Sequence, residues 1–207
     1  MTNAKFWDRI AKKYARTPIK DEAYYQETLE RSLSYLTPDS QVLEVGCGTG
    51  NTAIVLAKKA GHVTATDISG AMLDIARAKP GADTVTFIET DVLGSPKIEG
   101  GYDAVFAHSL LHLVPDLPAT LNRIAQLTKP GGVFISKTVS LQKAAGLQFT
   151  AMKIMVKLMQ AFGRAPFVRF MQVSELESAI EAAGFEIVEA FHKDVKIPAR
   201  YVVARKL

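Results

Sequence analysis

Three glycines at alternate positions, Gly46, Gly48 and Gly50, stand where a short apolar run ends and a helix-forming run begins. Val42, Leu43 and Val45 read as a strand, and Thr52 to Ala57 as the helix that follows. Glycine has no Cβ and tolerates positive φ, so such a turn brings bare backbone close to a ligand. The helix behind it offers its unpaired N–H groups to the same ligand. Asp67 ends a second strand-like run, His62 to Thr66, roughly twenty residues further on, where a carboxylate can accept both hydroxyls of a ribose. Asn51 occupies the place of the third glycine in the dinucleotide fingerprint Gly-x-Gly-x-x-Gly. These features fit any adenosine-bearing cofactor and choose none.

The elements that must position these residues follow from periodicity. Phe6, Trp7, Ile10 and Tyr14 mark a first helix over 4–16, and Tyr25, Leu29, Leu33 and Leu36 a second, from Asp21 to near Pro38. Helix A runs to about Ala60, and Ser69 caps the next helix. Val85 to Ile88, Tyr102 to Ala107 and Val133 to Thr138 read as strands 3 to 5, with a helix after Asp116. Strands separated by helical stretches predict parallel crossovers. Residues 141–171 read as a helical insertion, and Ser174 with Glu177 as the capping box of the next helix. Phe185 to Phe191 and Tyr201 to Ala204 then form two closing strands.

With six ordered motifs, residues 40–135 resemble the class I S-adenosylmethionine-dependent methyltransferases, of the small-molecule group related to quinone-biosynthesis enzymes. The motifs are Val42 to Gly50, Thr66 to Ser69, Glu89 to Val92, Tyr102 to Phe106, Leu111 to Asp116 and Lys129 to Gly132. The resemblance implies a Rossmann-like doubly wound α/β fold. Its seven-stranded sheet would be mostly parallel, with an antiparallel last strand and helices on both faces. Extra N-terminal helices (1–38) would precede the cofactor-binding core (39–140). A lid or insertion (141–172) and a final helix with a hairpin (173–207) would complete one domain. The same resemblance implies S-adenosyl-L-methionine as cofactor and assigns roles. Glu44 and the backbone of Gly46, Cys47, Gly48 and Gly50 would surround its methionine part. Asp67 would hold the ribose and Ile68 pack on the adenine. Asp91 would take the adenine amino group, Val92 add a backbone contact, and Tyr14 close over the site.

Charge agrees with that cofactor. It has a sulfonium and no phosphate, and acids Glu44, Asp67 and Asp91 at three strand ends would repel a pyrophosphate. Methyl transfer is an in-line displacement at an activated carbon, so alignment and exclusion of water dominate. A general base is needed only where the nucleophile keeps its proton. His108 and His112, at the end of strand 4, are the candidates. They share a side if the segment between them is helical. No set of metal ligands stands out, and the single cysteine, Cys47, excludes a cysteine zinc cluster.

Composition sets the remaining expectations. A single cysteine, no apolar signal run in the first sixteen residues and no membrane-length apolar window lead us to expect a cytoplasmic protein. The net charge of +4 is uneven, because 132–174 carries six basic residues and no acid. Over 147–171, Lys153, Lys157, Gln160 and Arg164 form one stripe, and Ala151, Met155, Leu158 and Phe162 another. That basic amphipathic stretch would be a lid over an apolar or anionic, lipid- or quinone-like acceptor, a peripheral membrane contact, or a plain structural helix. A small molecule is the expected acceptor. Nucleic acid is not, since Ala107 to Leu110 replaces the Asn/Asp-Pro-Pro-Tyr motif of amino methylation. A nicotinamide-dependent oxidoreductase and a non-catalytic cofactor-binding protein remain the alternatives, and oligomeric state is left open.

Overall fold

A computed structural model describes residues 3–139, 154–160, 162, 164–192 and 199–207. Its helices are α1 (Asn3–Ala15), α2 (Glu22–Ser34), α3 (Asn51–Leu56), α4 (Gly70–Arg77), α5 (Leu117–Leu127), α6 (154–160) and α7 (Val173–Ala182). Its strands are β1 (Gln41–Val45), β2 (His62–Asp67), β3 (Val85–Glu89), β4 (Tyr102–His108), β5 (Thr128–Val139), β6 (Phe185–Phe191) and β7 (Ala199–Lys206). They form one seven-stranded sheet in the order β3-β2-β1-β4-β5-β7-β6. Pairing is parallel from β3 to β5, and β7 runs antiparallel to both β5 and β6. The expected doubly wound architecture is present.

The order places β1 and β4 at the centre, and both are buried on both faces. Such strands read as unbroken apolar runs. Because side chains alternate along a strand, each strand feeds two cores. Leu43, Val45, Val105 and Phe134 pack with α5 and α7 on one side. Val42, Phe106, Ile135 and Tyr201 pack with α3 and the end of α2 on the other.

Local chemistry sets most boundaries. Asp21, Ser69 and Asp116 cap α2, α4 and α5 through side-chain oxygens that accept the N–H groups of Tyr24, Met72 and Ala119. Three expectations need correction. The buried face of α2 is centred on Tyr24, Thr28 and Ser32 rather than on Tyr25 and Leu33. The Thr28 and Ser32 hydroxyls can be buried because they donate to the carbonyls one turn back, at 2.9 and 2.7 Å. The capping box of α7 is Gln172 with Glu175, not Ser174 with Glu177. Glu177 instead accepts from the Arg200 guanidinium of β7 at 2.6 Å. The insertion is helical over 154–160, whereas 164–172 carries no helix before α7, and the start of the insertion lies outside the described residues. Among the described residues no helix is long and apolar enough to cross a membrane.

Gly50 shows how tightly the loop is set into this frame. Its φ is +73°, and an added Cβ would lie 2.9 Å from Ala76 Cβ and 3.0 Å from the Phe87 ring. Gly50→Ala should therefore lose ~1–3 kcal/mol of stability, about 2–4 °C of Tm per kcal/mol at this size. Calorimetric melting checks this, and an unchanged Tm would show that α4 yields without strain.

Candidate functional site

The carboxyl ends of β1 to β4 meet along one edge, where open α/β sheets bind their ligands. A cavity of about 370 Å³ opens there. Gly46 and Gly48 line it from β1, Asp67 and Ile68 from β2, Asp91 and Val92 beyond β3, and Ser109 to Leu110 beyond β4. Trp7 and Tyr14 of α1 cover it. Gly46 has φ +68°, and a Cβ there would meet Leu110 Cδ1 at 2.7 Å, so the loop can approach only as glycine.

Asp67 ties these turns together. Its Oδ2 accepts the Gly48 N–H at 2.8 Å, and its Oδ1 accepts the Ser69 N–H at 2.9 Å. Burial pushes its carboxyl above the usual range, against the pull of those amides. The two bonds aim the carboxylate and leave it lone pairs for a ligand. The Ser69 hydroxyl in turn donates to Asp8 of α1 at 2.7 Å, and Trp7 and Tyr14 meet edge to face at 6.2 Å. Asp91 stands on the exposed rim and spends one oxygen on the Gly94 N–H, at 2.8 Å.

A second cavity, about 460 Å³, lies beside the first. Glu44, Cys47, Asn51 and Thr52 line it from the loop and α3, Tyr25 from α2, His108 from β4 and Lys137 from β5. Sheet register explains this grouping. Glu44 pairs with Phe106, Phe106 with Ile135, and His108 with Lys137. A period of two then sends Glu44, His108 and Lys137 to one face, the face that α2 covers. Tyr14, Gly46, Gly48, His108 and Ser109 line both cavities. Ser109 is the only non-glycine residue with positive φ among the described residues, at +56°, and its N–H donates to Lys137 O at 2.6 Å. A strained residue held by a neighbouring strand marks the junction.

The titratable groups here are shifted by burial. Glu44 is buried with Oε2 lacking a partner, and desolvation pushes its carboxyl up to about 8. Both ring nitrogens of His108 are shielded and unpartnered, and burial, then the nearby Lys137, lowers its pKa to about 3. Burial drives the Cys47 thiol far up, which makes Cys47 a small loop residue and no nucleophile.

Of the residues expected from sequence, Tyr14, Gly46, Gly48, Asp67, Ile68, Asp91, Val92 and His108 line the first cavity, and Glu44 and Cys47 the second. Two expectations fail. Gly50 lines neither cavity; it faces Ala76 and Phe87 and serves packing. His112 also lines neither. The chain between the histidines is not helical, since Ser109 turns left-handed and a single 3₁₀ turn begins only at Leu111. The His112 carbonyl accepts the Arg169 N–H at 2.7 Å, and burial lowers its ring to about 4. Sequence reasoning missed Trp7, Tyr25, Ser109 and Lys137 as site residues. Lys137 had one signal, a lone charge just after the apolar run Val133 to Ile135.

A methyltransferase domain model matches residues 42–132, from β1 into the start of β5. The ubiquinone biosynthesis O-methyltransferase of Saccharophagus degradans is 30% identical over 154 residues, 73% of this chain and 65% of that protein. The chain carries a methyltransferase domain. The biotin biosynthesis bifunctional protein BioHC of the same organism is 27% identical over 198 residues, 91% of this chain and 35% of that protein. The chain thus spans less than two thirds of either curated relative. Geranyl diphosphate C-methyltransferase from Streptomyces coelicolor A3(2), solved with S-adenosyl-L-homocysteine, superposes with a TM-score of 0.71 at 15% identity. That match covers 90% of this chain and 79% of the other, and is a likeness of fold.

The histidines make stability depend on pH. Folded His108 and His112 titrate at about 3 and about 4, against an ordinary 6.5, so below 6.5 the unfolded chain binds more protons. Their contribution is complete above about 6.5 and is lost as pH falls towards their folded values. Glu44 acts oppositely, because between 4.5 and about 8 the fold keeps a proton that the unfolded chain releases. His108→Gln should therefore flatten the acid limb by up to ~1.4 kcal/mol per pH unit. Urea titrations between about pH 4.5 and 6.5 measure it, and an unchanged slope would mean the ring is solvated.

Proposed function

We propose that this protein transfers a methyl group from S-adenosylmethionine to a small molecule, with the donor in the first cavity and the acceptor in the second. The observation that carries this reading is that the two cavities share Gly46, Gly48, His108 and Ser109. Two bound molecules would meet there.

The residues present fit an S-adenosyl group. Among the described residues, Asp67 and Asp91 line the first cavity and no lysine or arginine does, a lining that would repel a pyrophosphate. The orphaned Glu44 Oε2 lines the second cavity just past Gly46 and Gly48, so the donor's ammonium would reach across that junction to it. Asp67, already aimed by Gly48 and Ser69, accepts the ribose hydroxyls. Asp91 takes the adenine amino group at the rim, while Ile68 and Val92 flank the ring. Trp7 and Tyr14 keep water out. The cofactor supplies a methyl on a sulfonium, ready for in-line displacement.

Alignment is then the main work of the protein. His108 starts neutral, so it can accept a proton from an acceptor that keeps one, but burial makes it a weak base. An apolar or anionic acceptor, lipid- or quinone-like, suits the surroundings. The relatives' printed names, in ubiquinone and biotin biosynthesis, support small-molecule work of this kind. Ile154, Met155, Leu158 and Phe162 are exposed, which supports the reading of 147–171 as the part that meets an apolar acceptor or a lipid surface. A cytoplasmic location accords with the lone cysteine, and the assembly in solution is left to measurement.

Trp7 is the only tryptophan and lines the donor cavity, so its fluorescence reports binding. Titration with S-adenosylhomocysteine should change it saturably. Asp67→Ala should weaken that affinity at least tenfold, through loss of charge-assisted bonds of ~1.5–3 kcal/mol. No binding to the wild type at millimolar cofactor product would sink the reading.

A further inference from the structure

Lys137 is a cation with no carboxylate in contact, although Glu44 and Asp21 act on it from farther off. Among the described residues it forms no ion pair, and its Nζ has one hydrogen bond, to Thr28 Oγ1 at a long 3.3 Å. The rings of Tyr25 and Tyr24 lie beneath it at 5.0 and 5.9 Å. These contacts orient an ammonium without neutralising it. Lysines at such depth are ordinarily paired. Lys137 instead lines the second cavity, at the level of His108 and one strand further from the glycine loop.

The rest of that cavity wall makes the cation more telling. Glu44 is two strands away from Lys137 and sits two residues below it in register, so it acts on the ammonium through space without pairing with it. Tyr25, Pro18 and Ile19 give the cavity an apolar flank, and Lys20 stands exposed among its lining residues. A pocket with an oriented, unpaired ammonium and an apolar flank complements a small organic anion.

We propose that the second cavity selects an acceptor carrying an anionic oxygen group, a carboxylate or phenolate, and that Lys137 is the residue that binds it. Thr28 and the two tyrosine rings fix the ammonium. Pro18, Ile19 and Tyr25 receive the apolar body of the acceptor. This inference rests on the assignment of donor and acceptor to the two cavities. The alternative source of the anion is the carboxylate of the cofactor itself, and the experiment separates the two.

The full chain, saturated with S-adenosylhomocysteine, is titrated calorimetrically with 4-hydroxybenzoate and octanoate, and with their uncharged amides. Each acid should bind at least tenfold more tightly than its amide. That preference should vanish in Lys137→Met and survive in part in Lys137→Arg, while affinity for S-adenosylhomocysteine changes less than twofold in both. Melting curves establish that the variants are folded. Equal affinity of acid and amide, or a preference that persists in Lys137→Met, overturns the proposal. So does a tenfold loss of cofactor affinity in Lys137→Met, which would give the ammonium to the cofactor's carboxylate. Failure of the wild type to bind S-adenosylhomocysteine at all would instead refute the donor assignment.

Discussion

The carboxylate of Asp67 holds the ligand edge of this sheet together. A glycine loop with three positive φ values has little to hold its shape once it leaves β1. Asp67 fixes it by accepting the Gly48 N–H, and with its other oxygen fixes the start of α4 by accepting the Ser69 N–H. Cys47 N–H reaches the Thr66 carbonyl at 2.9 Å and secures the same junction through backbone alone. Ser69 then carries the connection to α1 through Asp8. One half-buried charge thus positions the loop, the helix behind it and the helix above it. Its burial is tolerable because amides pointing at an anion offset part of its lost hydration.

The strand alternation that builds the two cores also divides the site. Side chains that leave the sheet towards α2 (Glu44, His108 and Lys137) all carry titratable groups just where the apolar run ends. The same face a few residues earlier is Val42, Phe106 and Ile135, wholly apolar. Chemistry therefore occupies the last layer of a face that is otherwise core. That explains the shifted acidities of Glu44 and His108, because these groups have low-dielectric neighbours on one side and a cavity on the other.

Much of this was legible in the sequence because the signals were local. The caps Asp21, Ser69 and Asp116 are set by bonds spanning three residues, and the glycine loop declares itself by composition. The family motifs extended that reading to the cofactor edge, where ten of the expected residues line a cavity. What escaped depends on distant partners. The cap of α7 is Gln172 with Glu175 rather than Ser174 with Glu177, and Glu177 is taken by Arg200 of the distant β7. His112 was misplaced because a left-handed Ser109, held by the carbonyl of Lys137, breaks the helix that would have aligned it with His108. Lys137 itself gained meaning only from the register of β4 against β5.

Strand order also bears on how the chain assembles. β7 follows β6 in the chain but lies between β5 and β6. Until residues 199–206 are in place, β5 presents a row of unpaired N–H and C=O groups, and β6 has no route into the sheet. The Lys137 layer stays open on that side as well, since Lys137 pairs with Tyr201. During synthesis, then, the half of the sheet from β3 to β4 can form early, whereas the half beyond β5 must wait for the last strand and exposes a sticky edge meanwhile.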